Sequence, residues 1–258
     1  MDYLLSAYGM AELAYLLSKQ PLLIFDFDGT LAPIVTLPSH AKLSVAVSRL
    51  LGKLCECAPV AIVSGRSVAD LVDRIGVQPK YLVGNHGAEG LPDSHIMEDE
   101  LRRVCAVWSH SLRTSLDDCG IDSGIMLEDK TFTLSLHYRL ARDKNAALSI
   151  LQNAIGKLDP VPKIIPGKCV INLLPQGALN KRLAVEQLLM LEGRKNALYV
   201  GDDDTDESVF IDAPNEWLTI RVEPEVQSKA RFFLFSQAEV GKLLQIILSI
   251  HIERGFPF

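Results

Sequence analysis

Short apolar runs that alternate with amphipathic helical stretches constrain this chain more than any other feature. The runs are Leu22–Phe27, Val60–Val63, Tyr81–Val83, Ala197–Val200 and Trp217–Val222, with Arg231–Leu234 a weaker sixth. Helical periodicity occupies Ala41–Cys57, Ser67–Ile75, Leu179–Leu191 and Ala238–Ile250. Strand-length apolar runs bounded by turn residues, with helices between them, predict a parallel sheet of βαβ units.

The rhythm breaks between about Asp93 and Leu174. There the chain reads helix (Met97–Leu116), two strands (Gly124–Leu127, Thr131–Tyr138), helix (Arg142–Leu158) and two strands (Pro162–Ile165, Cys169–Leu173). Turns at Glu128-Asp129-Lys130 and Pro166-Gly167-Lys168 would join neighbouring strands into hairpins, and hairpins build antiparallel sheet. The expected organisation is an α/β core over residues 1–93 and 175–258 with an α+β insertion over residues 94–174. The length of 258 residues exceeds the ~100–200 of a single domain, which agrees with a core plus an insertion.

Charge narrows the partners. A formal net charge of −6 argues against nucleic acid and anionic membrane, which need a clustered positive face. An anionic substrate would have to be caught by local cations or a metal. Cys55, Cys57, Cys105, Cys119 and Cys169 are odd in number and form no CxxC pair, so they read as reduced thiols of a cytoplasmic protein. Met1–Gln20 carries Asp2 and Glu12 and has the look of an amphipathic helix instead of a signal peptide. Leu243–Ile252, interrupted by Gln245 and Ser249, is too short to span a bilayer. A soluble monomer or weak dimer is expected.

Four motifs carry chemistry, each at the end of a predicted strand or the start of a helix. Phe25-Asp26-Phe27-Asp28-Gly29-Thr30-Leu31 closes the first strand. Side chains two apart on a strand share a face, so Asp26 and Asp28 are expected to project together from the carboxyl end of the sheet. Two carboxylates ~4 Å apart at an effective dielectric of ~20 repel by about 4 kcal/mol, and a divalent cation resolves this. Oxygen ligands suit Mg2+. Gly29 admits close approach of a phosphate, and the Thr30 hydroxyl is expected to donate to it.

Gly201-Asp202-Asp203-Asp204-Thr205-Asp206-Glu207 gathers five acids within six residues, more than a helix dipole alone accounts for. Asp202 is the expected direct metal ligand, with Asp203 and Asp206 acting through water or hydrogen bonds to the ligands. Val63-Ser64-Gly65-Arg66 offers the Ser64 hydroxyl and the Gly65 N–H to a phosphate, although Ser-Gly is also an ordinary helix cap. Lys181, in the first turn of a helix, opposes the helix dipole unless an anion lies nearby.

The ordered set DxDGT, Ser, Lys and GDDxTDE resembles the haloacid dehalogenase superfamily of phosphatases, with its Rossmann-like core, and the insertion resembles that superfamily's second type of cap domain. Gly84-Asn85-His86-Gly87-Ala88-Glu89, Leu127-Glu128-Asp129-Lys130 and Leu136-His137-Tyr138-Arg139 narrow the resemblance to trehalose-6-phosphate phosphatases, and the similarities run from about Leu22 to Phe210. The resemblance implies Asp26 as nucleophile and Asp28 as general acid and base. It implies Mg2+ held by Asp26, Asp202 and the main-chain carbonyl of Asp28, with Ser64 and Lys181 on the phosphoryl oxygens. Arg66, Glu128, Lys130, Arg139 and Asn172 would join Thr30 and Gly65 in contacting a sugar phosphate. Glu128 with Lys130, and His137 with Arg139, each share a face if they stand on strands; cross-strand salt bridges on a solvated hairpin are the alternative. His86 is either a substrate contact or a core histidine satisfied by backbone.

The sequence departs from the family pattern at three positions. Asn172 stands where the family usually has glutamate, Leu174 where it has a basic residue, and Arg182 where it has glycine. These leave the nucleophile untouched and bear on which sugar is read. The rival readings are a phosphatase for another sugar phosphate, such as sucrose 6-phosphate, and a non-catalytic sugar-phosphate sensor. No synthase-like domain accompanies the motifs, so a free-standing enzyme is expected.

Overall fold

The computed structural model describes residues 1–92, 95–117, 124–167 and 169–253. Asp93, Cys119 and Lys168, and with them the expected boundary at 93/94, lie outside the described residues. The chain divides into two units, Met1–Leu91 with Asn180–Phe258, and Pro92–Leu179.

The first unit is built on a seven-stranded parallel sheet. Its strands are β1 (Asp2–Tyr3), β2 (Leu22–Phe25), β3 (Val60–Val63), β4 (Tyr81–Val83), β9 (Ala197–Gly201), β10 (Trp217–Val222) and β11 (Phe232–Leu234), in the order β1-β11-β10-β9-β2-β3-β4. β2, β3, β9 and β10 are buried on both faces, as central parallel strands are. On one face Leu23, Phe25, Ile62, Leu198 and Val200 pack with helices α1 (Ala7–Leu17), α2 (Val45–Cys57), α3 (Val68–Ile75) and α8 (Ala238–Glu253). The alternate residues Ile24, Tyr199 and Thr219, all fully buried, project from the opposite face. Helices α6 (Lys181–Leu191) and α7 (Glu207–Phe210) complete the unit.

Order within the sheet reverses at β2: the chain moves outward on one side through β3 and β4, and on the other through β9, β10 and β11. A crevice at the carboxyl ends of the strands is expected at such a switch point. It falls between β2 and β9, which are paired from Leu22↔Ala197 to Phe25↔Val200.

The N-terminus differs from the expected single amphipathic helix. Asp2–Tyr3 is an edge strand on β11, and the helix begins only after Ser6, whose side chain accepts from the Gly9 N–H. A two-residue strand has too few residues to display a period, so sequence patterning does not register it.

The second unit packs α4 (His95–Asp117) and α5 (Lys144–Ile155) on a four-stranded antiparallel sheet. The sheet order is β5 (Met126–Asp129), β6 (Leu134–His137), β8 (Val170–Leu174), β7 (Lys163–Gly167). Trp108, Leu112, Leu134, Leu136, Leu151, Ile171 and Leu173 form its core. The opposite face is polar: Glu128, Ser135 and Asn172 stand in one cross-strand row. β5 runs two residues beyond the expected Leu127, and β6 stops at His137, so Lys130 and Arg139 sit in turns instead of on strands.

Candidate active site

Asp26 follows the last residue of β2 and still extends its ladder, donating its N–H to the Val200 carbonyl at 2.9 Å. Its side chain is nearly sealed, at 4% exposure. The Lys181 ammonium, at 2% exposure, lies 3.2 Å from Asp26 Oδ1 and 2.7 Å from Asp206 Oδ1. The anion that Lys181 needs at a helix start is therefore present twice. Asn180 caps the same helix, its side chain accepting from the Leu183 N–H at 2.9 Å.

Asp206 is the hub of this cluster. Its Oδ1 accepts from Lys181 Nζ at 2.7 Å and from the Tyr199 hydroxyl at 2.6 Å. Its Oδ2 accepts the main-chain N–H groups of Asp202 and Asp203, each at 3.0 Å. A carboxylate offers about four acceptor positions, and here all are used. Gly201 makes the geometry possible, since a Cβ there would stand 2.3 Å from Asp206 Cγ. Gly29, at φ +74°, does the same for Asp202, whose Oδ2 lies 2.0 Å from where a Cβ would be.

Oxygens of Asp26, Asp202 and Asp206 lie within 4.8 Å of one another. Burial, and then the Asp206 carboxylate, push Asp202 up to about 7. Burial also holds Asp26 well above the usual carboxylate range, opposed by Lys181 and reinforced by Asp206, Asp202 and Asp28. Burial by itself would favour a neutral Lys181; Asp206 and Asp26 outweigh it and raise its pKa above the ordinary lysine value. One ammonium does not relieve this crowding of acids. The oxygen-only donor set fits a hard divalent cation such as Mg2+, and Asp26 and Asp202 retain acceptor capacity for it.

Asp28 lies beyond the end of the strand, close enough to Asp26 for its charge to help raise that acid's pKa. The strand ends at Phe25, and the Ala32 N–H closes a turn on the Phe27 carbonyl at 2.8 Å that contains Asp28. Its carboxylate is gripped by both arms of Arg66, Nε to Oδ2 at 2.6 Å and Nη2 to Oδ1 at 2.7 Å. Arg66 also donates to Asp70, which in turn takes Arg74. Burial disfavours the Arg66 charge, but Asp28 and Asp70 more than compensate and raise its pKa.

Other expected site residues take specific places. Thr30 is fully buried and donates to Asp202 Oδ1 at 3.2 Å, steadying that acid. Ser64, at 1% exposure, sits just past β3, and its Oγ accepts the Arg66 N–H at 3.3 Å. Asp203 is exposed and turns its carboxylate back to the Asp204 N–H at 2.7 Å, outside the buried cluster.

The loop Gly84–Glu89 braces the Ser64 turn. Asn85 and His86 adopt φ of +52° and +58°, and Gly87 follows at +112°. The N–H groups of Asn85 and His86 donate to the carbonyls of Arg66 and Ser64 at 2.8 and 2.9 Å. Gly65 packs so tightly on the His86 ring that a Cβ would stand 2.4 Å from its Cε1, and at Gly87 a Cβ would stand 2.7 Å from the Asn180 carbonyl oxygen. Glu89 locks the loop, accepting from Asn85 Nδ2 at 2.7 Å and from the Val68 N–H at 2.9 Å. His86 is thus packed into the core unit at 8% exposure.

Sequence reasoning passed over Tyr199 and gave Asn85 and Glu89 no role beyond membership of their motif. A tyrosine inside the apolar run Ala197–Val200 was the available signal, because a buried hydroxyl must find a partner. Asn before His-Gly signals a left-handed turn.

In the second unit, Glu128 pairs with His137 at 2.7 Å and lies 3.8 Å from Lys130 Nζ. Asn172 accepts from the Ser135 hydroxyl at 2.7 Å and donates to the Ile165 carbonyl at 3.4 Å. Its amide is therefore engaged within the sheet. Arg139 is exposed in the turn after β6.

The family described as Trehalose-phosphatase matches residues 24–236, a span that holds every site residue above. The chain belongs to the trehalose-phosphatase family. It is 34% identical over 203 residues to a trehalose-phosphate phosphatase of Mycobacterium avium (strain 104), covering 76% of this chain and 52% of that protein. It spans about half the length of the curated relatives it matches. A crystal structure of a trehalose-6-phosphate phosphatase related protein superposes with a TM-score of 0.74 at 25% identity, over 90% of this chain and 99% of that one. A haloacid dehalogenase-like hydrolase from Bacteroides thetaiotaomicron, at 15% identity and a TM-score of 0.62 over 90% and 100% of the two chains, shares the fold. The trehalose-phosphatase fold here is thus a haloacid dehalogenase-like α/β sheet. Among the described residues no helix is long and apolar enough to cross a membrane.

Proposed function

We propose that the chain hydrolyses trehalose 6-phosphate to trehalose and phosphate, the last step of trehalose biosynthesis, with Mg2+ as cofactor. The observation that carries this reading is the set of sealed Asp26, Lys181 and Asp206 with half-buried Asp202 at the carboxyl ends of β2 and β9. An Asp26 oxygen attacks phosphorus, the bond from phosphorus to the sugar oxygen breaks, and its electron pair leaves with the sugar. Asp28, aimed by Arg66, protonates that oxygen. It then takes a proton from the water that attacks the aspartyl-phosphate, which frees phosphate and regenerates the Asp26 carboxylate. Asp26, Asp202 and the main-chain carbonyl of Asp28 would hold Mg2+, which would supply charge neutralisation for the transferring phosphoryl group. Lys181 and Ser64 hold phosphoryl oxygens, with the Gly65 N–H beside them.

Residues 1–93 and 175–258 form the catalytic core in this reading, and residues 94–174 select the sugar through Glu128, Lys130 and Arg139. The four described cysteines, Cys55, Cys57, Cys105 and Cys169, are free, in keeping with a reducing, cytoplasmic setting. One observation favours a second substrate: Asn172 is neutral and engaged by Ser135, so a different sugar phosphate such as sucrose 6-phosphate would meet no fixed charge there. Phosphate release measured across trehalose 6-phosphate, sucrose 6-phosphate and p-nitrophenyl phosphate separates the two. A kcat/KM highest for trehalose 6-phosphate, and abolished by EDTA, is expected. Equal rates on all three, or indifference to EDTA, would overturn the assignment.

A further inference from the structure

Tyr199 is a fully buried titratable group at the site that the mechanism above leaves unused. It stands in β9 between Leu198 and Val200, sealed from solvent and edge-on to Phe210, with ring centroids 5.9 Å apart at 77°. Phenylalanine would fill this volume equally well. The hydroxyl therefore needs a reason, since an unpaired buried O–H destabilises the fold. Its acceptor is Asp206 Oδ1 at 2.6 Å, the same oxygen that Lys181 reaches at 2.7 Å.

Lys181 is shared between Asp206 and Asp26, and it sits closer to Asp206. A donor on Asp206 Oδ1 offsets part of the pull that this carboxylate exerts on the ammonium. Oδ2 is fixed by two main-chain N–H groups, so Oδ1 is the only oxygen of Asp206 whose partners are side chains. Asp206 also lies within ligating range of Asp26 and Asp202. With one acceptor position released, it becomes a third carboxylate for the cation.

We propose that Tyr199 is a positioning residue whose hydroxyl saturates Asp206, keeping that carboxylate off the divalent cation and leaving Lys181 shared with Asp26. This deepens the proposed function and rests on its reading of the site as a Mg2+ centre. Its chemical content is cation selectivity. Two carboxylates with free positions for water and phosphate suit Mg2+, whereas additional carboxylate oxygens and a larger coordination number suit Ca2+.

The test is isothermal titration of Mg2+ and of Ca2+ into the parent protein and Y199F, a substitution that removes one oxygen and keeps the ring. In Y199F the ratio of Ca2+ to Mg2+ affinity should rise by roughly tenfold, the scale of one hydrogen bond to a charged group. The Mg2+-dependent kcat should fall while KM for the sugar phosphate holds. 3-Fluorotyrosine at position 199 keeps the hydroxyl and strengthens it as a donor, so it should move the ratio the opposite way. A parent-like ratio in Y199F, or movement of both variants in the same direction, would overturn the assignment whatever happens to Tm. A parent that binds neither cation would remove this inference together with the phosphatase reading. A parent that binds Mg2+ but cleaves no sugar phosphate would remove the substrate reading alone, and the affinity ratio still decides the role of Tyr199.

Discussion

The acid cluster of the first unit and the polar sheet face of the second use the same residue types under opposite conditions. Asp26, Lys181 and Asp206 are almost completely sealed, and every acceptor position of Asp206 is filled. Glu128, in contrast, is 46% exposed at its side chain, and its partner Lys130 stands 3.8 Å away. Charges in a sealed site interact strongly and cost little reorganisation during reaction, whereas exposed pairs contribute little to stability and can change partners. The first arrangement suits bond breaking, and the second suits reading a hydroxylated ligand.

Removing the central cation should break the sealed region most severely. Lys181→Met leaves Asp26 and Asp206 buried without compensation and should cost about 3–5 kcal/mol in urea unfolding, with kcat falling by roughly 10²–10³. Comparable losses from a distant surface lysine would cancel the contrast. Next in size is Arg66→Lys. A single ammonium cannot reproduce the two-armed grip on Asp28, so kcat should fall by roughly 10–100-fold, a part of what general acid–base catalysis supplies, with KM nearly unchanged. Unaltered kcat would mean that Arg66 does not aim Asp28.

The exposed region should respond differently. Glu128→Ala is expected to lower kcat/KM on trehalose 6-phosphate by about tenfold, the scale of one hydrogen bond to a charged group, without touching p-nitrophenyl phosphate hydrolysis or Tm. Equal losses on both esters would assign Glu128 to the fold instead of to the sugar. The smallest expected effect is on stability against pH. Asp202 is raised to about 7 in the folded chain from an ordinary 3.8, so the native state retains a proton that the unfolded chain releases. That contribution is complete below the ordinary value and disappears as pH rises through about 7. The Tm of metal-free protein should fall between about pH 4 and pH 7 and level off above that, and saturating Mg2+ should flatten the decline. A Tm that rises over this interval would contradict the burial of Asp202.

Much of this was legible in the chain itself. Val60–Val63, Tyr81–Val83 and Trp217–Val222 are strands with the bounds that apolar patterning assigns, because buried parallel strands have no polar face to blur them. Lys181 could be read as needing an anion from its place at a helix start. Other features were not legible, for physical reasons. Asp28 lies in the turn that the Ala32 N–H closes on the Phe27 carbonyl, beyond the strand that the apolar run marks. Arg66 finds Asp28 across 38 residues of sequence, a contact set by the order of strands in the sheet. Asp206 outranks Asp203 in the cluster because of one helical turn that the string of acids does not announce.

The central claim is that Asp26 carries the phosphoryl group. Turnover quenched in the steady state and reduced with borohydride converts an aspartyl-phosphate to homoserine, which peptide mass spectrometry locates. Homoserine at position 26, dependent on both sugar phosphate and Mg2+, is the predicted result. Homoserine at another acid, or none while an Asp26→Asn variant still releases phosphate, would contradict it.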